Sequence, residues 1–404
     1  MASTVPAAPA LDGRSRLPSL TGLRFLAALC VFFFHTGLAN SPIPPNLAIS
    51  PFADHRVAAD YAYVFGKAGY LGVSFFFVLS GFVLTWSSRP GERARAFLRR
   101  RVVKIFPNHI VVWALALILF ARSIGGPGDW LPNLLLIHDY FPQPSVNLSV
   151  SPPSWTLCSE MLFYASFPFL IGPLRRIPVR RLWIWAVAMV LGTVAVQLVN
   201  EFLIPATPVS AISPISNAQF WFGYLFPPSR MFEFVLGALL ALLVKAGKWP
   251  RIGILPAAVL LLAGYVLALH VPVYYGFGAA TVVPVGVLIA AVANADARGR
   301  PTPFGGKRMV WLGDVSFGFY LCQGITIFSV RRLFQHTTFP TAEGVLVLLG
   351  LFALTLLVGW LLHSRVEAPM MRRWARPRRP ADHREHVHDR VRLSGSDRPV
   401  PSKY

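Results

Sequence analysis

Charged side chains are scarce in this 404-residue chain. They make up 14% of it, where soluble domains carry roughly 25%. That shortage excludes an intrinsically disordered protein and an ordinary soluble enzyme, because both need more solubilising groups than are present. Acids are the scarcer sign, with 17 against 38 lysines and arginines and a net charge of +21. Such an excess suits nucleic acid only where it forms a solvated patch. Here the cations fall in short clusters between long apolar runs, so no nucleic-acid partner is expected. Cysteine is nearly absent: Cys30, Cys158 and Cys322 each lie in an apolar stretch. They give no disulfide framework and no zinc-type spacing, so no metal and no bound cofactor is expected. Also missing are a Gly-x-Ser-x-Gly elbow, a Walker sequence and a Gly-x-Gly-x-x-Gly following a strand.

Apolar runs fill the chain instead. A spanning helix needs about 20 mostly apolar residues, and ten candidates emerge: 20–38, 69–88, 105–121, 155–172, 182–200, 220–244, 252–270, 273–295, 310–330 and 344–364. The fold class is therefore an all-α polytopic membrane protein with about ten transmembrane helices. Arg14 and Arg16 precede the first run as in a signal peptide, but the run is too long for a typical cleaved segment and reads as a retained helix. The run 155–172 opens with polar Ser159 and Glu160, and 220–244 is interrupted by Pro227-Pro228. Segment 122–154 is a long polar connection with an interfacial turn expected around 130–137. With the N-terminus in the cytoplasm, 31 of the 38 lysines and arginines fall on inner flanks and 5 on outer ones, leaving Arg24 and Arg230 within spans. The positive-inside rule then places both termini in the cytoplasm, and the protein is expected in the cell membrane. Three regions follow: a cytoplasmic segment 1–18, a transmembrane domain 19–375, and a basic tail 376–404. The tail includes Asp382-His383-Arg384-Glu385-His386-Val387-His388-Asp389 and reads as disordered near anionic lipid rather than as a metal site.

Ionisable groups inside spans cost at least about 2.5 kcal/mol each, so they carry the functional information. Arg24 and His35 lie eleven residues apart, which on a helix is three turns plus about 20°, or about 16 Å along one face. Taken singly, a snorkelling arginine and a satisfied core histidine would explain them. Two on one face of an apolar helix point to function. Glu160 falls in the outer third of its span, with His35 and Arg230 in the outer half or near the midplane. Arg24 and the cluster Arg99-Arg100-Arg101 with Lys104 fall at the inner face. Arg230 and Glu233, spaced i, i+3, are neighbours able to neutralise each other or to bind substrate. A cytoplasmic basic rim suits a phosphate-rich donor, and a buried histidine with a carboxylate suits proton transfer from a hydroxyl. Cys158 as an acyl-carrying nucleophile has no base beside it in the sequence. The same buried His, Glu and Arg would suit a proton-coupled transporter or exporter, but no repeated pair of interrupted segments marks two halves.

At these residues the chain resembles the acyltransferase-3 family of integral-membrane O-acyltransferases, over roughly residues 15–376. Arg24 and His35 match its Arg–ten residues–His pattern. Phe75-Phe76-Phe77-Val78-Leu79-Ser80-Gly81-Phe82 is similar to its Phe-Phe-x-Leu-Ser-Gly-Phe signature. The run from Phe97 to Pro107 resembles its basic loop, with Lys104 where arginine is usual. Trp155-Thr156-Leu157-Cys158-Ser159-Glu160 resembles its Trp-Ser-Leu-x-x-Glu block, and Arg230 with Glu233 and Glu367-x-Pro369 fall where the family carries such residues. Asn108-His109 replaces a commoner aromatic ending. Cys322-Gln323 stands where many members end a Tyr-Leu-x-His run, which removes that histidine from consideration but leaves His35. The resemblance implies a stand-alone module without an SGNH-type domain. It implies acyl-CoA as co-substrate and a hydroxylated acceptor, whether sugar, glycan or macrolide-type metabolite. His35 and Glu160 would be catalytic, Arg24, Arg100, Arg101 and Lys104 would bind the donor, and Trp155, Arg230 and Glu233 would hold substrate or structure.

Overall fold

The computed structural model of the protein describes residues 17–43, 48–210, 212–334 and 337–375. The N-terminal segment (but for 17–18) and the basic tail, with its histidine-rich run, lie outside these. Among the described residues the secondary structure is helical, apart from two isolated bridges, Phe52 to Phe339 and Val209 to Ser216. The principal helices are α1 (Pro18–Thr36), α2 (His55–Phe65), α3 (Ala68–Ser87), α4 (Ala94–Leu119), α5 (Pro127–Leu134), α6 (Trp155–Arg176), α7 (Leu182–Leu203), α8 (Met231–Lys245), α9 (Ile254–His270), α10 (Val282–Ala297), α11 (Lys307–Leu333) and α12 (Thr341–Leu361). Eight helical segments among the described residues are long and apolar enough to cross a membrane. Two of the ten expected runs are not among them: α9 has only 17 residues, and α11, though 27 residues long, carries Asp314, Gln323 and Thr326.

Packing runs in series from α12 to α11, α1, α3, α8 and α7, with α10 against α3 and α9 against α10. Lipid supplies no hydrophobic drive for this association, so close backbone approach has to. The α3–α8 crossing shows how. A Cβ on Gly81 would sit 1.8 Å from the Phe234 carbonyl oxygen, and one on Gly237 would sit 1.9 Å from that of Val78. Each helix thus seats its glycine against the other's backbone, and no side chain fits at either point.

Two expectations about helix placement need correcting, and a third holds. The basic run from Phe97, expected as a loop leading into a span at 105, is helix: α4 begins at Ala94 and continues through Pro107. Ala94 to Arg101 are good helix formers without glycine or proline, and cationic side chains stop an apolar run without stopping a helix. The connection 122–154 is not merely interfacial. It carries α5 and then dives into the protein, so that residues 149–159 are all buried. Consequently α6 starts at depth, and Glu160, six residues into it, sits lower than a surface start would put it. The expected break at Pro227-Pro228 is present, as a wide turn at Trp221–Leu225 and a tight one at Pro227–Arg230 ahead of α8.

Candidate active site

His35 lies in the last turn of α1, and its Nδ1 is 2.9 Å from Oε1 of Gln323 on α11. The same Gln323 amide donates from Nε2 to the Ala28 carbonyl at 3.1 Å. A carbonyl only accepts, so the amide orientation is fixed and Oε1 is left as an acceptor. His35 Nδ1 must then carry the hydrogen, and Nε2 keeps its lone pair. Gln323 itself is fully buried. His35 lines a cavity of about 70 Å³ walled by Tyr70, Trp155, Tyr224 and Tyr320. Tyr320 is held by Thr156, which donates to its hydroxyl at 3.0 Å, and by its own bond to the Pro153 carbonyl at 3.1 Å. Five of the residues lining this cavity, among them Leu148, Phe220 and Leu225, also line a wider groove of about 390 Å³. That groove presents hydroxyls and amides, including Ser145, Asn147, Ser149 and Asn217, beside the Phe220 ring.

Arg230 and Glu233 sit behind this cavity and do not line it. Arg230 Nη2 lies 2.8 Å from Glu233 Oε2 and donates to the Phe277 carbonyl at 3.0 Å. Ser74 donates to Glu233 Oε1 at 2.5 Å. The guanidinium also faces the Phe77 and Tyr224 rings at 5.3 and 5.5 Å. Trp155 packs on the same two rings, 5.8 Å from Phe77 and 4.5 Å from Tyr224. Of the two expected roles for this pair, the geometry favours the structural one: a neutralised pair that fixes the aromatic wall.

A second cavity, of about 120 Å³, gathers Arg24 from α1, Ser80 from α3, Arg101 and Lys104 from α4, and Glu160 and Tyr164 from α6. Tyr164 donates to Glu160 Oε2 at 3.0 Å, and the three cations act electrostatically on that carboxylate. On α4 Lys104 points between Arg100 and Arg101, which diverge by about 100°, and of those two only Arg101 turns with it into the cavity. Arg100 pairs with Glu92 at the surface, so the structure does not bring it to the other three. Lys104 also pairs with Glu367, which accepts from Asn108 at 3.3 Å.

The expected neighbourhood of His35 and Glu160 is not found. They line different cavities, and no hydrogen bond or ion pair joins them among the described residues. The deep start of α6 brings Glu160 to the cations instead, and the group that orients His35 is Gln323. Sequence reasoning passed over Gln323, Tyr164 and Tyr320; the position of Gln323 was visible only as a departure from a family motif.

Comparison with known proteins identifies the family. The family model described as an acyltransferase domain matches residues 17–364. The acyltransferase MdmB of Streptomyces mycarofaciens is 37% identical over 377 residues, covering 90% of this chain and 94% of the relative. The peptidoglycan O-acetyltransferase OatA of Listeria monocytogenes is 24% identical over 354 residues, covering 76% of this chain and 49% of the relative. No solved structure matches. Nothing in these likenesses supports the transporter reading. With its helical membrane fold and a match over most of its length, the chain belongs to the acyltransferase-3 family of membrane acyltransferases.

Proposed function

We propose that the protein moves a short acyl group from acyl-CoA to a hydroxyl of a sugar, glycan or glycosylated secondary metabolite, in the cell membrane, with ten spans and both termini cytoplasmic. The observation that carries this reading is the stacking of two unlike polar compartments in one bundle. One holds Arg24, Arg101 and Lys104, a cation set suited to the phosphates of CoA. The other holds a histidine whose tautomer is fixed by Gln323, suited to proton abstraction. Helix α1 contributes to both, with Arg24 and His35 about 16 Å apart along it.

In this mechanism the cations hold the phosphates and the pantetheine arm extends along α1 toward His35. Nε2 takes the proton from the acceptor hydroxyl as the oxygen attacks the thioester carbonyl. The tetrahedral intermediate collapses, the C–S bond breaks, and the proton passes from imidazolium to the departing thiolate, giving an ester and free CoA. Glu160, held by Tyr164 among the cations, tunes the donor compartment rather than the base. The groove of hydroxyls and amides beside an aromatic ring suits a hydroxylated acceptor, and its continuity with the His35 cavity gives that acceptor a route. The name of OatA, a peptidoglycan O-acetyltransferase, supports an O-linked glycan product. Incubating the purified protein with radiolabelled acetyl-CoA and panels of glycans and macrolides should give an alkali-labile labelled ester. Label that stays on CoA with every acyl length and acceptor class would overturn the reading.

A further inference from the structure

Cys158 lines neither cavity. Because the connection before α6 dives inward, its turn at His138–Tyr140 comes to rest against the first residues of that helix. A ring nitrogen of His138, a carboxylate oxygen of Asp139 and the Cys158 sulfur all lie within 4.8 Å of one another. His138 Nε2 is 3.6 Å from Asp139 Oδ2. His138 and Asp139 are fully buried, and Cys158 is 1% exposed. Among the described residues no donor from outside this cluster reaches either oxygen of Asp139, whose polar neighbours are the Cys158 thiol and the His138 ring. Beside them Ser154 accepts from Asn133 at 3.0 Å and donates to the Ser151 carbonyl at 2.6 Å. Buried carboxylates are ordinarily hydrogen-bonded, paired with a cation or bound to a metal. No lysine or arginine forms an ion pair with Asp139 among the described residues, where its one charged-pair neighbour is His138.

We propose that His138, Asp139 and Cys158 bind one divalent cation of the zinc class, joining the inward-diving connection to the N-terminal turn of α6. The donor set selects the ion. A thiolate and an imidazole disfavour magnesium and calcium, which take oxygen ligands, and suit zinc in a four-coordinate site. One thiolate and one carboxylate balance the two positive charges, so the loaded site is neutral, as a buried site requires. Loading releases the thiol proton to solvent. The fourth position falls to a solvent oxygen or to Ser154, whose hydroxyl lies 3.5 Å from His138 Nε2. The site differs from the cavities in purpose: it fixes the start of α6, and with it Trp155, the wall of the His35 cavity.

The test uses the full-length, tag-free protein in detergent, loaded with zinc or cobalt and dialysed. Wild type should retain about one ion per chain, and the cobalt form should show a thiolate-to-metal charge-transfer band. The histidine-rich tail cannot produce that band, because the chain's three cysteines are at 30, 158 and 322. Cys158→Ser should abolish the band, while Cys30→Ser and Cys322→Ser should keep it. Asp139→Asn, which retains the thiol if Cys158→Ser fails to fold, should weaken zinc binding by more than the about 10- to 100-fold that follows loss of an outer-sphere partner. Zinc should also raise the Tm of wild type but not of Asp139→Asn. A wild-type chain that holds no ion after loading, a band that survives Cys158→Ser, or equal zinc affinity in Asp139→Asn would each overturn the proposal.

Discussion

Replacing Gln323 with leucine keeps most of the side-chain volume and removes both of its hydrogen bonds. His35 Nδ1–H then has no acceptor and the Ala28 carbonyl loses its donor. Gln323 is fully buried, so neither group recovers a partner from bulk water. Leaving one buried polar group unpaired costs about 1–3 kcal/mol. If the imidazole share of that cost falls on the transition state, where ring orientation and tautomer both matter, kcat drops by about 5- to 150-fold. KM for acyl-CoA should hardly move, since the cation cavity lies elsewhere. The assay is steady-state kinetics with purified protein, backed by a detergent melting curve to show that the variant is folded. Gln323→His, which can accept through a ring nitrogen, should recover part of the loss. A folded Gln323→Leu protein with wild-type kcat, or one in which only KM changes, would refute the claim that this amide sets the base.

Other outcomes follow from the same geometry. His35→Ala should lose about 10²- to 10⁴-fold in kcat while still binding acyl-CoA, the usual worth of general-base assistance. Arg101→Ala should raise KM for acyl-CoA several-fold. Arg100→Ala should change it little, because an exposed pair such as Arg100–Glu92 contributes about 0–1 kcal/mol; equal effects would put Arg100 back at the donor. Gly237→Val should destabilise the α3–α8 crossing by about 3 kcal/mol or more, read as a lowered melting temperature. Reporter fusions at positions 146, 210 and 338 should report the outside and those at 95, 178 and 303 the inside, and reversal at two or more sites would invert the proposed topology.

The parts legible in the sequence are those governed by local rules. Apolar length marks most of the helices, and helical periodicity places Arg24 and His35 on one face. The double proline announces the broken entry to α8. The parts that escaped depend on tertiary depth. No periodicity states that the connection before α6 descends into the bundle, so Glu160 was assigned to the wrong compartment and His138–Asp139 went unnoticed beside Cys158. The start of α4 was missed for a different reason: charge ends a hydrophobic run, but not a helix. Once the helix is drawn back to Ala94, the divergence of Arg100 from Arg101 follows from 100° per residue.

The bond between His35 and Gln323 joins residues 288 positions apart. During synthesis at about 5–20 residues per second, the first helix waits roughly 15–60 s for the helix that completes it. Throughout that interval Arg24 and His35 are polar groups in a half-built bundle with neither cavity closed around them. Biogenesis of this protein therefore depends on whatever shelters α1 from lipid, and a chain arrested before Gln323 emerges should be retained at the insertion machinery or degraded rather than released.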